Sequence, residues 1–181
     1  MPTIIDNFQW MGWNVALAII PIFFTYLIIK YSKQHIASLF IGLWILFFPN
    51  TIYLVTDIQY LPNQLSRTMV SADILLIFQY MVLVGLGLIT YFLSLSPIIK
   101  KFKINGKIVF VFNFVVSFAV ALGKIQRTES WDIITNPIRV LNDVNRSLSS
   151  PQIILFVIGF GLLINLIFIS GRMYFNDRVR S

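Results

Sequence analysis

The chain of 181 residues contains no cysteine. That excludes disulfides, thiolate zinc sites, iron–sulfur clusters and a cysteine nucleophile. It contains one histidine, His35, so a zinc centre built on several imidazoles cannot come from a single chain. Charge is scarce as well, at 12% of residues with only 7 acids, where a soluble domain carries about a quarter. What takes its place is hydrocarbon: 57% of the chain is hydrophobic and 17 residues are Phe. These residues gather into runs too long for the core helices of a soluble protein. The composition therefore predicts an all-α integral membrane protein, a single helical bundle over residues 1–181, with membrane lipid as its first partner. The net charge of +7 flanks apolar runs and forms no stripe with interleaved aromatics, so nucleic acid is not an expected partner.

Five spans are expected, at about 10–29, 36–56, 72–96, 108–126 and 151–170. The first run, Trp10 to Ile29, has neither the basic start nor the small-residue cleavage site of a signal peptide, and is expected to stay in the membrane. The residues before it read as a short polar leader. The third and fifth spans hold glycine pairs, Gly85 with Gly87 and Gly159 with Gly161, which let neighbouring helices approach. Such faces also leave pairing between two copies of the chain open. Asn113, Asn165 and Gln79, lying inside spans, read as interhelical hydrogen-bond partners. Between the fourth and fifth spans, Asn136-Pro137 reads as a helix start. Ile138, Leu141, Val144 and Leu148 then recur at helical spacing opposite Arg139, Asn142, Asp143 and Arg146, predicting an amphipathic surface helix over about 137–148.

The second span carries the unusual stretch, Leu43 to Leu61. From Ile36 to Phe48 there are too few residues to cross a ~30 Å hydrocarbon core at ~1.5 Å per residue. The span must then run through Pro49, kinked, toward Asp57. Asn50, Tyr53, Asp57 and Tyr60 fall on roughly one helical face. Proline and an ionisable carboxylate near hydrocarbon are costly, and membrane chains keep them mainly where the bundle uses them.

Alternating loops divide the charges unevenly. One side holds nine cations (Lys30, Lys33, Lys100, Lys101, Lys103, Lys107, Arg172, Arg178 and Arg180) against Asp177, a net of +8. The other holds Arg67, Lys124, Arg127, Arg139 and Arg146 against six acids, a net of −1. The excess of Lys and Arg predicts a cytoplasmic first side, hence an amino terminus outside and a carboxyl terminus inside the cell membrane. Asp57, Asp73 and the segment Gly123 to Asp132, GKIQRTESWD, then fall at the outer ends of their spans.

From these residues a mixed-charge site is expected. Its ligand-binding candidates are Asn50, Tyr53, Thr56, Asp57, Asp73, Lys124, Arg127, Ser130, Trp131 and Asp132. Opposite charges offset part of one another's desolvation, and Lys124 and Arg127 suit a phosphate. Asp57, Asp73 and Asp132 are the candidates for a general acid or base. No ligand spacing marks a metal and no cofactor is expected, although the same carboxylates are groups that could hold Mg²⁺ or Ca²⁺ through oxygen. A plainer alternative makes the charges a clamp tying helix ends together.

The combination FFPNTIYLVTD (Phe47 to Asp57), Asp73 opening the next span, and GKIQRTESWD followed by Pro137 resembles a family of bacterial membrane proteins, domain of unknown function 1361. The resemblance spans about Leu43 to Pro137 and implies a multi-pass bacterial membrane protein without supplying an activity. The family pattern has Gly-Arg where Gly123-Lys124 stands and Asn at Glu129. Arg and Lys differ as bidentate partners of carboxylate or phosphate, so a role carried to Lys124 is altered by that change. Three functions compete: an outer-face site for an anionic or lipid-linked ligand, in the manner of an enzyme of envelope lipids or polymers; a transporter or channel component moving cations on its carboxylates; and a structural subunit.

Overall fold

The computed structural model describes residues 2–66 and 70–180. It is 89% helical, with no strand among the described residues. The helices are α1 (Pro2–Lys30), α2 (Ile36–Phe47), α3 (Pro49–Thr56), α4 (Leu61–Leu65), α5 (Val70–Phe102), α6 (Gly106–Ala121), α7 (Asp132–Thr135), α8 (Pro137–Leu148) and α9 (Pro151–Arg180). A 3₁₀ turn, Asp57–Tyr60, joins α3 to α4, and a π turn, Leu122–Gln126, extends α6. Five stretches are long and apolar enough to cross a membrane: Ile5–Lys30, Ile36–Leu65, Asp73–Phe102, Gly106–Gln126 and Pro151–Arg172. Arg67 lies outside the described residues, as do the side chains of Asp177, Arg178 and Arg180.

The described chain forms two compact units, residues 1–103 and 104–181. In the first, α1 packs on α2, α3 and α5, and α3 packs on α5. The helix starts well before Trp10, so the leading residues belong to α1 and bring Asn7 into the bundle. Pro49 does break the second span, because its missing N–H and its ring interrupt the ladder. The break is bridged locally: Phe48 N–H donates to the Trp44 carbonyl at 2.7 Å, Asn50 Nδ2 to the Phe47 carbonyl at 3.0 Å, and Thr51 Oγ1 to the Phe48 carbonyl at 2.8 Å. Helix then resumes and runs on to Leu65, farther than the apolar pattern alone indicates.

Of the first glycine pair, only Gly87 meets α3. A Cβ there would lie 3.0 Å from Leu54 Cβ and 3.1 Å from the Thr51 carbonyl, whereas Gly85 has nothing within 4 Å. Phe48 also lies between Trp44 and Tyr91, its ring tilted to both, with centroids 4.6 and 5.5 Å away. Trp44 Nε1 donates to Ser94 Oγ at 2.7 Å, and Thr25 Oγ1 donates to the Ser94 carbonyl at 2.9 Å. Outward, α5 shows Ile74, Phe78, Met81, Ile89 and Leu93, the apolar exterior of a helix that faces lipid.

In the second unit α6 packs along α9, and α8 packs against the π turn and α9. Asn105 is the N-cap of α6, its Oδ1 accepting the Lys107 N–H at 3.0 Å. Asn113 and Asn165 join the two spans as expected, through a 2.9 Å bond from Asn113 Nδ2 to Asn165 Oδ1. Gly161 lies against the Phe114 ring, which takes the space a Cβ would need, while Gly159 has open space. The helix from Pro137 forms with Asn136 as its cap, Oδ1 accepting the Arg139 N–H at 3.3 Å.

Candidate functional site

In the first unit, Asp57 opens the 3₁₀ turn and is 1% exposed. Asn14 of α1 donates from Nδ2 to Asp57 Oδ2 at 3.1 Å. One layer away, Asn7 uses its whole carboxamide. Its Nδ2 donates to Gln64 Oε1 at 2.8 Å and Gln79 Oε1 at 3.1 Å, and its Oδ1 accepts from Trp10 Nε1 at 3.0 Å and Gln64 Nε2 at 2.9 Å. Two donors and two acceptors are all that an amide offers. Satisfying them among side chains is what makes such a group tolerable in a membrane interior. Tyr80 is fully buried beside them, its ring 6.3 Å from Trp10, in the electrostatic field of Asp57. Its hydroxyl has no hydrogen-bond partner among the described residues.

The neighbouring candidates serve the backbone as well. Asn50 and Tyr53 are half-buried on α3, Asn50 closing the proline kink. Thr56 Oγ1 donates to the Tyr53 carbonyl at 2.6 Å. Asp73 stands half-buried in the first turn of α5, where the helix dipole favours a carboxylate.

In the second unit, the segment after α6 folds around Arg139. The π turn carries Lys124, half-buried, and ends at Arg127 in the left-handed conformation, with φ 59° and ψ 35°. Single π turns of this kind recur at functional sites. Asp132, 8% exposed, starts α7 and accepts the Glu129 N–H on Oδ2 at 2.8 Å. The Arg139 guanidinium reaches Asp132 Oδ2 and Asp143 Oδ2, each at 3.7 Å, and donates to the Arg127 carbonyl at 3.1 Å. Thr128 Oγ1 adds a 2.8 Å bond to Asp143. Ser130 and Trp131 are half-buried beside this knot.

Although much of Glu129 is exposed, partial burial of its carboxyl, and then the charge of Asp132, raise its pKa above the ordinary carboxylate value; Arg127 and Arg139 pull the other way. Arg127 is exposed, and its guanidinium makes no hydrogen bond or ion pair among the described residues. The sequence pattern placed Arg139 and Asp143 on the water-facing side of the surface helix. Instead Asp143, 6% exposed, and Ser147 turn into the unit, and Ile138, Leu141 and Leu148 face out.

Asn50, Tyr53, Thr56, Asp57 and Asp73 thus belong to the first unit, and Lys124, Arg127, Ser130, Trp131 and Asp132 to the second. Among the described residues, no group of three His, Asp or Glu side chains is placed to hold a metal ion. A family model described as "Protein of unknown function (DUF1361)" matches residues 13–167. The chain belongs to the DUF1361 family. No curated protein and no solved structure matches it. Asn14, Asp57, Gln64, Gln79, Tyr80 and Arg139 lie inside the DUF1361 match, while Asn7 and Trp10 precede it. Sequence reading missed Asn7, Trp10 and Asn14 as site residues, yet they follow one another at i, i+3 and i+7 on α1. That is a polar stripe at helical period, in a largely apolar span.

Proposed function

We propose that this membrane protein lies in a bacterial cell membrane, amino terminus outside and carboxyl terminus cytoplasmic, and binds an anionic or lipid-linked ligand at its outer face. The orientation rests on the imbalance of +8 against −1 between alternate loops. One observation carries the ligand class: the Arg127 guanidinium is exposed and makes no hydrogen bond or ion pair among the described residues, while Asp132 and Asp143 are engaged by Arg139, Thr128 and the Glu129 N–H. Arg139 offsets part of the charge of Asp132 and Asp143, and the exposed Arg127 guanidinium offers its fork to an incoming phosphate or carboxylate. Lys124, Ser130 and Trp131 border it in sequence, Trp131 with an amphipathic ring suited to a lipid-bearing ligand. Asp132 is a positioning group in this reading.

The test uses the full chain in phosphatidylcholine nanodiscs, with a polyprenyl phosphate as probe and native mass spectrometry as readout. Arg127→Ala is expected to weaken retention of the probe at least tenfold with the melting temperature unchanged. Equal retention by wild type and variant, or none by wild type, overturns the reading.

A second reading is favoured by Asp57. A carboxylate 1% exposed inside a stretch apolar enough to span, with a carboxamide among its donors, suits a cation or proton pathway through the first unit. Proteoliposome flux abolished by Asp57→Asn and untouched by Arg127→Ala would select it.

A further inference from the structure

At the end of the second unit where α6 begins, α6 and α9 border a half-open pocket of about 640 Å³. Its walls are Phe110 and Val111 from α6 and Phe168 and Ile169 from α9. Lys107 and Arg172 also line it. Gly106 opens the apolar stretch of α6, and Arg172 is the first charged residue after the apolar run that starts at Pro151, so these cations stand at headgroup depth and the apolar walls run toward hydrocarbon. Gly106 makes room for the arrangement: a Cβ there would lie 3.3 Å from Arg172 Nη1. The guanidinium therefore rests over the first turn of α6, itself the positive end of a helix dipole. Two cations and a dipole of the same sign meet here, and neither Lys107 nor Arg172 has an ion pair among the described residues. Asn165, deeper in the pocket, offers no amide proton to a ligand, because its Nδ2 is committed to the carbonyls of Phe110 at 3.2 Å and Gly161 at 2.9 Å.

We infer that this pocket is a binding site for an anionic phospholipid, its phosphate held by Lys107 and Arg172 and its acyl chain laid along Phe110, Val111, Phe168 and Ile169. Charge complementarity selects the headgroup, and the apolar depth selects a lipid over a soluble phosphate. The volume falls within the usual range of small-molecule sites. The site is independent of the outer-face reading: Lys107 and Arg172 both belong to the loops with the cationic excess.

Native mass spectrometry of the purified full chain, with phosphatidylglycerol and phosphatidylcholine of identical acyl chains, tests it. Phosphatidylglycerol is expected to be retained at least tenfold more strongly, and that preference is expected to vanish in Lys107→Gln/Arg172→Gln. The charge-keeping pair Lys107→Arg/Arg172→Lys should retain it. Val111→Trp, a change at a position 62% exposed, should block the groove without touching either cation. If Lys107→Gln/Arg172→Gln fails to fold, loss of retention in Val111→Trp decides the matter alone. Equal retention of the two lipids, unchanged retention in the variants that fold, or displacement by millimolar inorganic phosphate alone overturns the inference. Retention of a polyprenyl phosphate through Arg127 is expected to be unaffected by all of these changes.

Discussion

Asp57 in the first unit and Asp132 in the second are both buried carboxylates, and each receives a donor of a different kind. Asp57 sits within an apolar stretch and receives the neutral carboxamide of Asn14, beside a lattice of further amides from Asn7, Gln64 and Gln79. Asp132 sits in the segment between two such stretches and receives a backbone N–H and the guanidinium of Arg139. The difference follows from the reach of water. Arg139 keeps 46% of its side chain exposed while touching two acids, so its own charge is never fully desolvated. Within hydrocarbon a carboxamide costs less to bury than a cation, and its two donors and two acceptors can be closed among neighbours.

The strongest way to break that contrast is to remove the guanidinium. Arg139→Met leaves Asp132 and Asp143, with side chains 11% and 9% exposed, close together and without their shared cation. Removing one partner from a fully buried pair costs about 3–5 kcal/mol. The half-exposed arginine reduces this to roughly 2 kcal/mol through solvent screening. The melting temperature in detergent should fall by roughly 4–8 °C for a chain of this length. Adding Asp132→Asn and Asp143→Asn should recover part of the loss, since no uncompensated charge then remains; a triple variant as unstable as the single one would show that packing, not charge, holds the segment.

A smaller loss is expected in the first unit. Asn14→Leu removes a donor to Asp57. Hydrogen bonds between membrane helices average about 0.6 kcal/mol and reach about 1.7, and a charged acceptor places this one near the top of that range. Unfolding titrations in mixed micelles should show a loss of about 1.5 kcal/mol. Asn14→Gln, able to restore the amide, should lose less. A loss equal to that of Arg139→Met would erase the distinction between the two units.

The spans and the break at Pro49 were legible because apolar length and a missing N–H act locally. Asn113, Asn165 and Gln79 were legible as joining residues because an amide inside hydrocarbon must find a partner. The amide lattice was not. Its bonds join positions 57 and 72 residues apart, and Asn7 lies ahead of the hydrophobic run that marked the span. Gly85 and Gly87 look alike in sequence, but residues two apart point to nearly opposite sides of a helix, so only one meets α3. Arg139 was hidden for a related reason. Periodicity defines the two faces of α8 without saying which one turns inward, and here the polar face packs on a polar segment. Of the ligand-site residues chosen from sequence, Asn50 and Thr56 also donate to helix carbonyls, a role that no motif distinguishes from ligand contact.

Tyr80→Phe is the smallest change and the sharpest. The hydroxyl is fully buried and makes no hydrogen bond among the described residues, so deleting it removes no bond and lifts an unmet desolvation cost. Stability should therefore stay within about 0.5 kcal/mol of wild type, or rise, while Asn14→Leu falls. That pairing of outcomes would make the amide lattice a closed polar core, complete in itself. A loss of ~1 kcal/mol or more in Tyr80→Phe would mean that the hydroxyl is bonded after all, to a water or a ligand atom between Asp57 and Trp10. The first unit would then contain an occupied polar chamber, and Asp57 would be one of its walls. Measuring Tyr80→Phe and Asn14→Leu separately and together separates the cases, because positions sharing one bridging molecule couple and independent ones add.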